Sequence, residues 1–448
     1  MVFLGKIRVN SIQTIALGFA AMILLGALLL SFPAASRDGA SLPFTDALFT
    51  ATSATCVTGL VLYDTYAQFT PLGQIVILCL IQIGGLGFMA VATLFLMIVR
   101  RKIGLMERSI LTESVSALQI GGIVRLIRRI TVCTAVFEGT GAVLLAIRFC
   151  PQMGFATGAY YAVFHAVSAF CNAGFDLMGR FAPYTSLIPY QSDALVNLTV
   201  MALIVIGGLG FVVWDDIMEH RLRYAHYRLH TKIVLLSTTL LILGGAVLFY
   251  LMEKDNTLAG MDPEGKLLAS LFQSVTPRTA GFNTVDIAAL SEGGTALSML
   301  LMLIGASPGS TGGGIKTTTV MVILLATLSY IRNSEDINIF HRRLEGNILK
   351  RAYCSATIYV MLSIVGIFLL ITTQGLPVKD VAFEALSAIG TVGLSTGVTR
   401  ELNTFSRIII ILLMYSGRVG SLTLAMAIMA RLSKTAGFRN PEEKIIIG

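Results

Sequence analysis

Four short stretches of small polar residues, each ending in glycine, are the part of this chain best suited to chemistry. They are Thr55, Cys56, Val57, Thr58 and Gly59; Cys171, Asn172, Ala173 and Gly174; Thr279, Ala280 and Gly281; and Gly390, Thr391, Val392 and Gly393. Glycine accepts backbone angles that other residues resist, so it lets successive carbonyl oxygens turn toward one point. Rings of such carbonyls replace the hydration shell of a cation. The side chains are mostly neutral, which argues for a monovalent ion over calcium, whose sites are built on carboxylates. One turn glycine would mean little, but these recur about every 110 residues, the mark of a four-fold internal repeat.

A second group of residues interrupts an apolar run. Ser307, Pro308, Gly309, Ser310, Thr311, Gly312, Gly313 and Gly314, followed by Lys316, put a proline and several glycines where a continuous helix would not tolerate them cheaply. The stretch reads as a mobile break that gates the pore below the glycine ring, or as a static kink. It comes within one residue of a phosphate-binding loop, but Ile315 is one residue too many and no strand precedes it. Arg418 lies deep in another apolar run. A guanidinium at membrane depth faces a cavity or a partner, so it is expected either as an electrostatic barrier to cations or bonded to helix-end carbonyls or to Glu138. Lys316 either approaches the cavity or snorkels to the surface. Asn172 either adds an oxygen to the pore or caps its own turn, and Arg278 and Asp286 are expected outside, flanking the third glycine.

The elements that must position these groups follow from composition. Of 448 residues, 55% are apolar and only 13% charged, against roughly 25% charged in ordinary soluble domains. Apolar stretches long enough to cross a bilayer occur near 12–32, 72–99, 127–149, 194–214, 231–252, 296–331, 352–373 and 405–432. They come in pairs, and each pair brackets a moderately apolar segment (43–62, 160–177, 267–286, 378–398) that reads as a short re-entrant helix running into one glycine stretch. The negative end of that helix dipole would point at the ion. Gly84 to Gly87, Gly207 to Gly210 and Gly417 to Gly420 each form Gly-x-x-Gly inside a span, with the 305–314 stretch at the equivalent place in the third repeat. The expected fold is therefore an all-α integral membrane protein: eight transmembrane helices and four re-entrant pore helices in four pseudo-repeats around a central pore. The repeats are set at 1–100, 101–215, 216–332 and 333–432, with a cytoplasmic tail at 433–448.

If the chain starts in the cytoplasm, about two thirds of the 33 Lys and Arg fall on the cytoplasmic side, as the positive-inside rule requires. The net charge of +8 is then explained by loops facing anionic lipid, and nucleic-acid binding is not indicated. The first apolar run exceeds the core of a signal peptide and reads as a retained helix. Six scattered cysteines suggest neither disulfides nor zinc and read as small buried hydrophobes. The five histidines lack metal-ligand spacing, and neither His165 nor Glu138 has the partner an intramembrane hydrolase needs. Repeats that all start on the same side weigh against an alternating-access carrier, whose repeats are usually inverted.

The four glycine stretches, Gly312-Gly-Gly-Ile-Lys316-Thr-Thr, Ser416-Gly-Arg418-Val-Gly-Ser and the tail from Pro441 to Gly448 together resemble the Trk/Ktr/HKT superfamily of potassium transporters, most closely the membrane subunit of the Ktr potassium uptake system. The resemblance covers nearly the whole chain. It implies a potassium-channel-like fold, a homodimer in the bacterial plasma membrane with both termini cytoplasmic, and a cytosolic ring of nucleotide-binding regulatory subunits. It implies potassium as the transported ion, bound only by the glycine-segment residues and often aided by sodium, with no cofactor in the chain and no catalysis. Glycine in all four filters resembles the potassium-selective members, whereas sodium-selective plant relatives carry serine in the first. A sodium-selective or poorly selective relative is the other expectation. Basic loops at 100–108, 221–232 and 342–351 are the docking surfaces such a ring would use, or simply lipid-facing loops.

Overall fold

The computed structural model describes residues 2–4, 7–9, 11–98, 104–114, 121–221, 223–334, 336–429, 441 and 443. The tail at 433–448 lies outside them apart from Pro441 and Glu443, as does the 100–103 part of the first basic loop. Among the described residues the chain is mostly helical, with two small antiparallel hairpins, β1 (Val2–Leu4) with β2 (Ile7–Val9) and β3 (Asn338–Ile339) with β4 (Arg342–Arg343).

The helices fall into four quarters. The first holds α1 (Ser11–Ser31), α2 (Phe44–Thr55), the one-turn α3 (Thr65–Gln68), α4 (Pro71–Leu86) and α5 (Phe88–Ile98), after which α6 (Leu105–Ser114) leads to the second. The second holds α7 (Ile123–Met153), α8 (Phe155–Phe170), α9 (Ala194–Leu209) and α10 (Phe211–His220). The third holds α11 (Leu229–Glu253), α12 (Pro263–Val275), α13 (Glu292–Leu303) and α14 (Thr317–Ile331). The fourth holds α15 (Gly346–Gln374), α16 (Val378–Gly390), α17 (Thr404–Val419) and α18 (Ser421–Met429). Each quarter thus reads long helix, short helix ending in a glycine stretch, then a helix in two pieces.

Among the described residues, four helices are long and apolar enough to cross a membrane, over Gln13–Ser31, Ile123–Met153, Leu229–Glu253 and Gly346–Gln374, and the bent pair α9–α10 makes a fifth if it is one span. Their outward faces carry exposed leucine, valine and phenylalanine, including Leu24, Val143, Leu243 and Phe368, a surface that suits lipid and not water. The first piece of the broken helix in every quarter (α4, α9, α13 and α17) starts at a side-chain cap. Thr70 accepts from Gly73 N, Asp193 from Val196 N, Ser291 from Gly294 N and Asn403 from Ser406 N. Each satisfies one of the amide groups left over at a helix start.

The Gly-x-x-Gly stretches, expected inside continuous spans, end them instead. The second glycine of each, Gly87, Gly210 and Gly420, has a φ of +84°, +99° and +95°, a conformation that ends the helix and that only glycine adopts readily. Helices α9 and α10 meet at 95° across this break. In the third quarter the break grows into the loop between α13 and α14, closed on itself by Gly305 N donating to Ile315 O at 2.9 Å. The third quarter therefore elaborates a break that all four share.

The first glycine of each stretch lets helices cross closely. A methyl group on Gly84 would collide with the carbonyl oxygen of Thr55, on Gly207 with that of Phe170, and on Gly417 with that of Ile389. The broken helix of each of these quarters is thereby pressed onto the end of its own short helix. Buried Phe49, Phe164, Phe170, Phe272, Phe282 and Phe383 fill the space around these ends.

Candidate functional site

The short helices α2, α8, α12 and α16 point their C-termini, the negative ends of their dipoles, at the four glycine stretches. Gly59, Gly174, Gly281 and Gly393 all have φ between +70° and +92°. A methyl carbon on Gly59 would lie 2.6 Å from the carbonyl oxygen of Ala173, on Gly174 2.8 Å from that of Ala280, on Gly281 2.6 Å from that of Val392, and on Gly393 against that of Thr58. The contacts run from quarter to quarter and return to the first, so the segments close a ring.

Two residues before each glycine the backbone is left-handed again, at Val57 (φ +54°), Asn172 (+58°), Thr279 (+75°) and Thr391 (+51°). Each such residue costs about 1–2 kcal/mol, and three of them are β-branched, for which the conformation is rarer still. Left-handed residues alternating with ordinary ones turn successive carbonyls to one side, which is what a carbonyl-lined ring requires.

Hydroxyl groups behind the ring hold this strained backbone, and the sequence reading missed them. Gly59 N donates to Ser53 Oγ and Gly393 N to Ser387 Oγ, both at 3.1 Å. Ser168 Oγ donates to Phe175 O at 2.7 Å and Thr276 Oγ1 to Phe282 O at 2.5 Å. The signal was available, since a serine stands six residues before the glycine in three quarters and a threonine five before it in the other.

The ring forms the floor of an outer cavity of about 370 Å3 whose charged lining is Asp64, Asp176, Asp286 and Arg400. Burial lifts Asp176 to about 7; the Met178 amide pulls it down and the Asp64 charge pushes it further up. Arg400 is held over the Tyr184 ring at 4.1 Å. Asp286 belongs to this lining, as does Gly281. Arg278, expected beside it, is buried and stands outside the lining; the equivalent places in the first two quarters hold the buried side chains of Cys56 and Cys171.

The glycine-rich loop lies on the opposite side of the ring. Ser307 N donates to Gly208 O at 3.0 Å, Phe211 N to Gly309 O at 2.7 Å, and Gly313 N to Thr391 Oγ1 at 3.0 Å. Thr311 Oγ1 donates to Phe170 O at 3.2 Å. Arg418 donates to the carbonyls of Thr311, Gly84 and Gly85, and Lys316 Nζ to those of Gly312 at 2.7 Å and Gly313 at 3.3 Å. Both cations therefore clamp the loop. Beneath it an inner cavity of about 290 Å3 has residues from all four quarters in its wall, with Gly309, Ser310, Gly312 and Gly314 contributed by the loop.

Carbonyls, and not Glu138, take Arg418. Glu138 accepts from Gln82 Nε2 at 3.2 Å beside Cys171. Asn172 does neither thing expected alone: its amide nitrogen donates to Ala169 O and Ile204 O, and its oxygen accepts from Thr279 Oγ1 at 3.1 Å, joining two filters. His165 is packed among Phe149, Phe164 and Phe282, with Nδ1 donating to Tyr161 O at 2.7 Å. Asp216, Glu219 and His220 stand close enough to hold a metal, a grouping missed because the histidines were scanned alone; Arg228 already pairs with both acids. Only Cys56 and Cys171 are buried; Cys79 and Cys354 are exposed, since an apolar outer face accommodates thiols as well as a core does.

The helical fold, its apolar outer face and the ring between two cavities define a multi-pass membrane protein. The family described as "Cation transport protein", TrkH, matches residues 11–436, and this chain belongs to that family. It is 40% identical over 447 residues to the "Potassium/sodium uptake protein NtpJ" of Enterococcus hirae, covering 98% of each chain. It is also 40% identical to the "Ktr system potassium uptake protein B" of Bacillus subtilis, covering 99% of this chain and 98% of the relative. The crystal structure of the potassium transporter TrkH from Vibrio parahaemolyticus superposes with a TM-score of 0.73 at 18% identity, over 95% of this chain and 86% of that one. Its family is one of transporters and not of enzymes.

Proposed function

We propose that this protein takes up potassium across the plasma membrane through the four-glycine ring. In this reading each quarter contributes two spans and one pore helix, giving eight spans in all, and both termini are cytoplasmic. The quarters correspond to the four sequence repeats. Potassium, with or without coupled sodium, binds at the carbonyls of 55–59, 171–174, 279–281 and 390–393. Loop 307–314 with Lys316 is the gate, and Arg418 both anchors it and repels cations below the ring. A homodimer with a cytosolic ring of nucleotide-binding subunits would complete the system; the name of the Bacillus subtilis relative, which speaks of a Ktr system, supports a partner subunit. The observation that carries the proposal is the closed ring of positive-φ glycines, each against the next quarter's carbonyl. The name of the Enterococcus relative favours a second reading in which sodium also passes.

The test is ion uptake by potassium-starved, uptake-deficient bacterial cells expressing the chain, with and without a cytosolic regulatory subunit. Gly281→Ser places a side chain at φ +82° and 2.6 Å from Val392 O. That contact and a left-handed strain of about 1–2 kcal/mol displace the carbonyls of the ring, so potassium-over-sodium selectivity is expected to fall. No flux of either ion in the wild type would end the pore reading.

A further inference from the structure

We propose that Glu113 forms a monovalent-cation site in the inner cavity, holding the ion after it has passed the glycine-rich loop. The inference rests on the pore reading. The cavity of about 290 Å3 is walled by residues of every quarter, among them Phe19, Phe211, Lys316 and Arg418, so it lies on the shared axis. Among the described residues its charged lining consists of Glu113, Lys316 and Arg418. Both cations are committed to carbonyl oxygens of the loop and of α4. Glu113, on the last turn of α6, is exposed and makes no hydrogen bond or ion pair among the described residues.

Among the described residues Glu113 is thus the one carboxylate that an ion leaving the loop meets in this lining, facing the two basic side chains. The cavity has room for several waters at about 30 Å3 each, so the ion stays largely hydrated and the carboxylate replaces only part of that shell. Conduction needs a site that attracts the ion and still releases it. A single carboxylate opposite two committed cations meets both conditions, because its attraction is offset by theirs. The ring supplies selectivity from uncharged carbonyls, whereas this site discriminates by charge alone and accepts any monovalent cation the ring admits.

The experiment uses the full chain reconstituted in proteoliposomes, with rubidium-86 flux measured for wild type, Glu113→Gln and Glu113→Asp, and thallium located by anomalous scattering in crystals of the same proteins. Glu113→Gln is expected to lower flux on the order of tenfold, from the loss of one charge at close range in a medium of intermediate dielectric, with the potassium-to-sodium ratio unchanged. Thallium density beside Glu113 should be present in wild type and in Glu113→Asp and absent in Glu113→Gln. Unchanged flux in Glu113→Gln, or lowered flux with the thallium retained, overturns the site. Should Glu113→Gln fail to elute as a folded protein, Glu113→Asp carries the test, and absence of thallium there with full flux also overturns it. Wild-type vesicles that pass no rubidium would sink the pore reading itself, a result distinct from any of these.

Discussion

Replacing Arg418 with methionine keeps an unbranched apolar stem and removes the charge together with its bonds to Thr311, Gly84 and Gly85. Only the Thr311 bond reaches the glycine-rich loop, and a hydrogen bond from a charged donor contributes about 1.5–3 kcal/mol. Losing it shifts the loop from its docked to its released arrangement by roughly 10- to 150-fold. The guanidinium also repels a cation on the axis, by roughly 3 kcal/mol at about 6 Å and an effective dielectric near 20. Both effects have the same sign. Arg418→Met should therefore raise rubidium flux into proteoliposomes at least tenfold without any cytosolic subunit, while the ring, which it does not touch, keeps its selectivity. A folded variant with flux equal to or below wild type would refute the assignment of Arg418 as clamp and barrier.

Three further outcomes follow from the geometry. Ser387→Ala removes the hydroxyl that accepts from Gly393 N, a loss of about 1 kcal/mol that should reduce potassium-over-sodium selectivity severalfold in competitive uptake; equal selectivity would show that the strained loop needs no such support. Because burial lifts Asp176 to about 7, the outer cavity gains negative charge between pH 6 and 8, so uptake at low potassium should rise over that range and Asp176→Asn should flatten the rise. The folded protein holds that proton more tightly than the unfolded chain, so the same group costs more stability as pH climbs toward 7. Arg407→Leu strips the partner from buried Asp46, bonded at 2.6 Å, and should destabilise by about 3–5 kcal/mol in thermal melts, whereas Arg129→Leu, at an exposed pair with Asp215, should change stability by under about 1 kcal/mol; similar melting of the two variants would contradict this.

Much of the architecture was legible because membrane burial and repetition leave strong traces. The glycines 59, 174, 281 and 393 could be aligned by spacing alone, and the structure brings them to one ring. The left-handed backbone at Val57, Thr279 and Thr391 could not be read, since these residue types disfavour the conformation that their surroundings impose. Serines 53, 168 and 387 were visible as a pattern, but serine in an apolar helix has many uses and nothing local names this one. Glu113 carried no signal at all: it belongs to a short polar helix between spans, and the packing of α6 against α1, α5 and α7 brings it to the cavity beneath the loop. The second glycine of each Gly-x-x-Gly illustrates the remaining difficulty, because apolar composition continues on both sides of a break that a positive φ creates.

The closure of the ring between its first and last quarters has a consequence in time. Asp46 bonds Arg407 across 361 residues, and Tyr415 donates to Ala16 O across 399. At about 5–20 residues per second, a ribosome finishes the acid roughly 20–70 s before its counter-ion exists. Throughout that interval the nascent chain sits in the bilayer with one wall of its channel missing and a carboxylate facing the gap. The ring stays open for as long as it takes to make the rest of the protein: truncation before Gly393 removes the fourth filter segment, and truncation between Gly393 and Arg407 leaves Asp46 without its counter-ion.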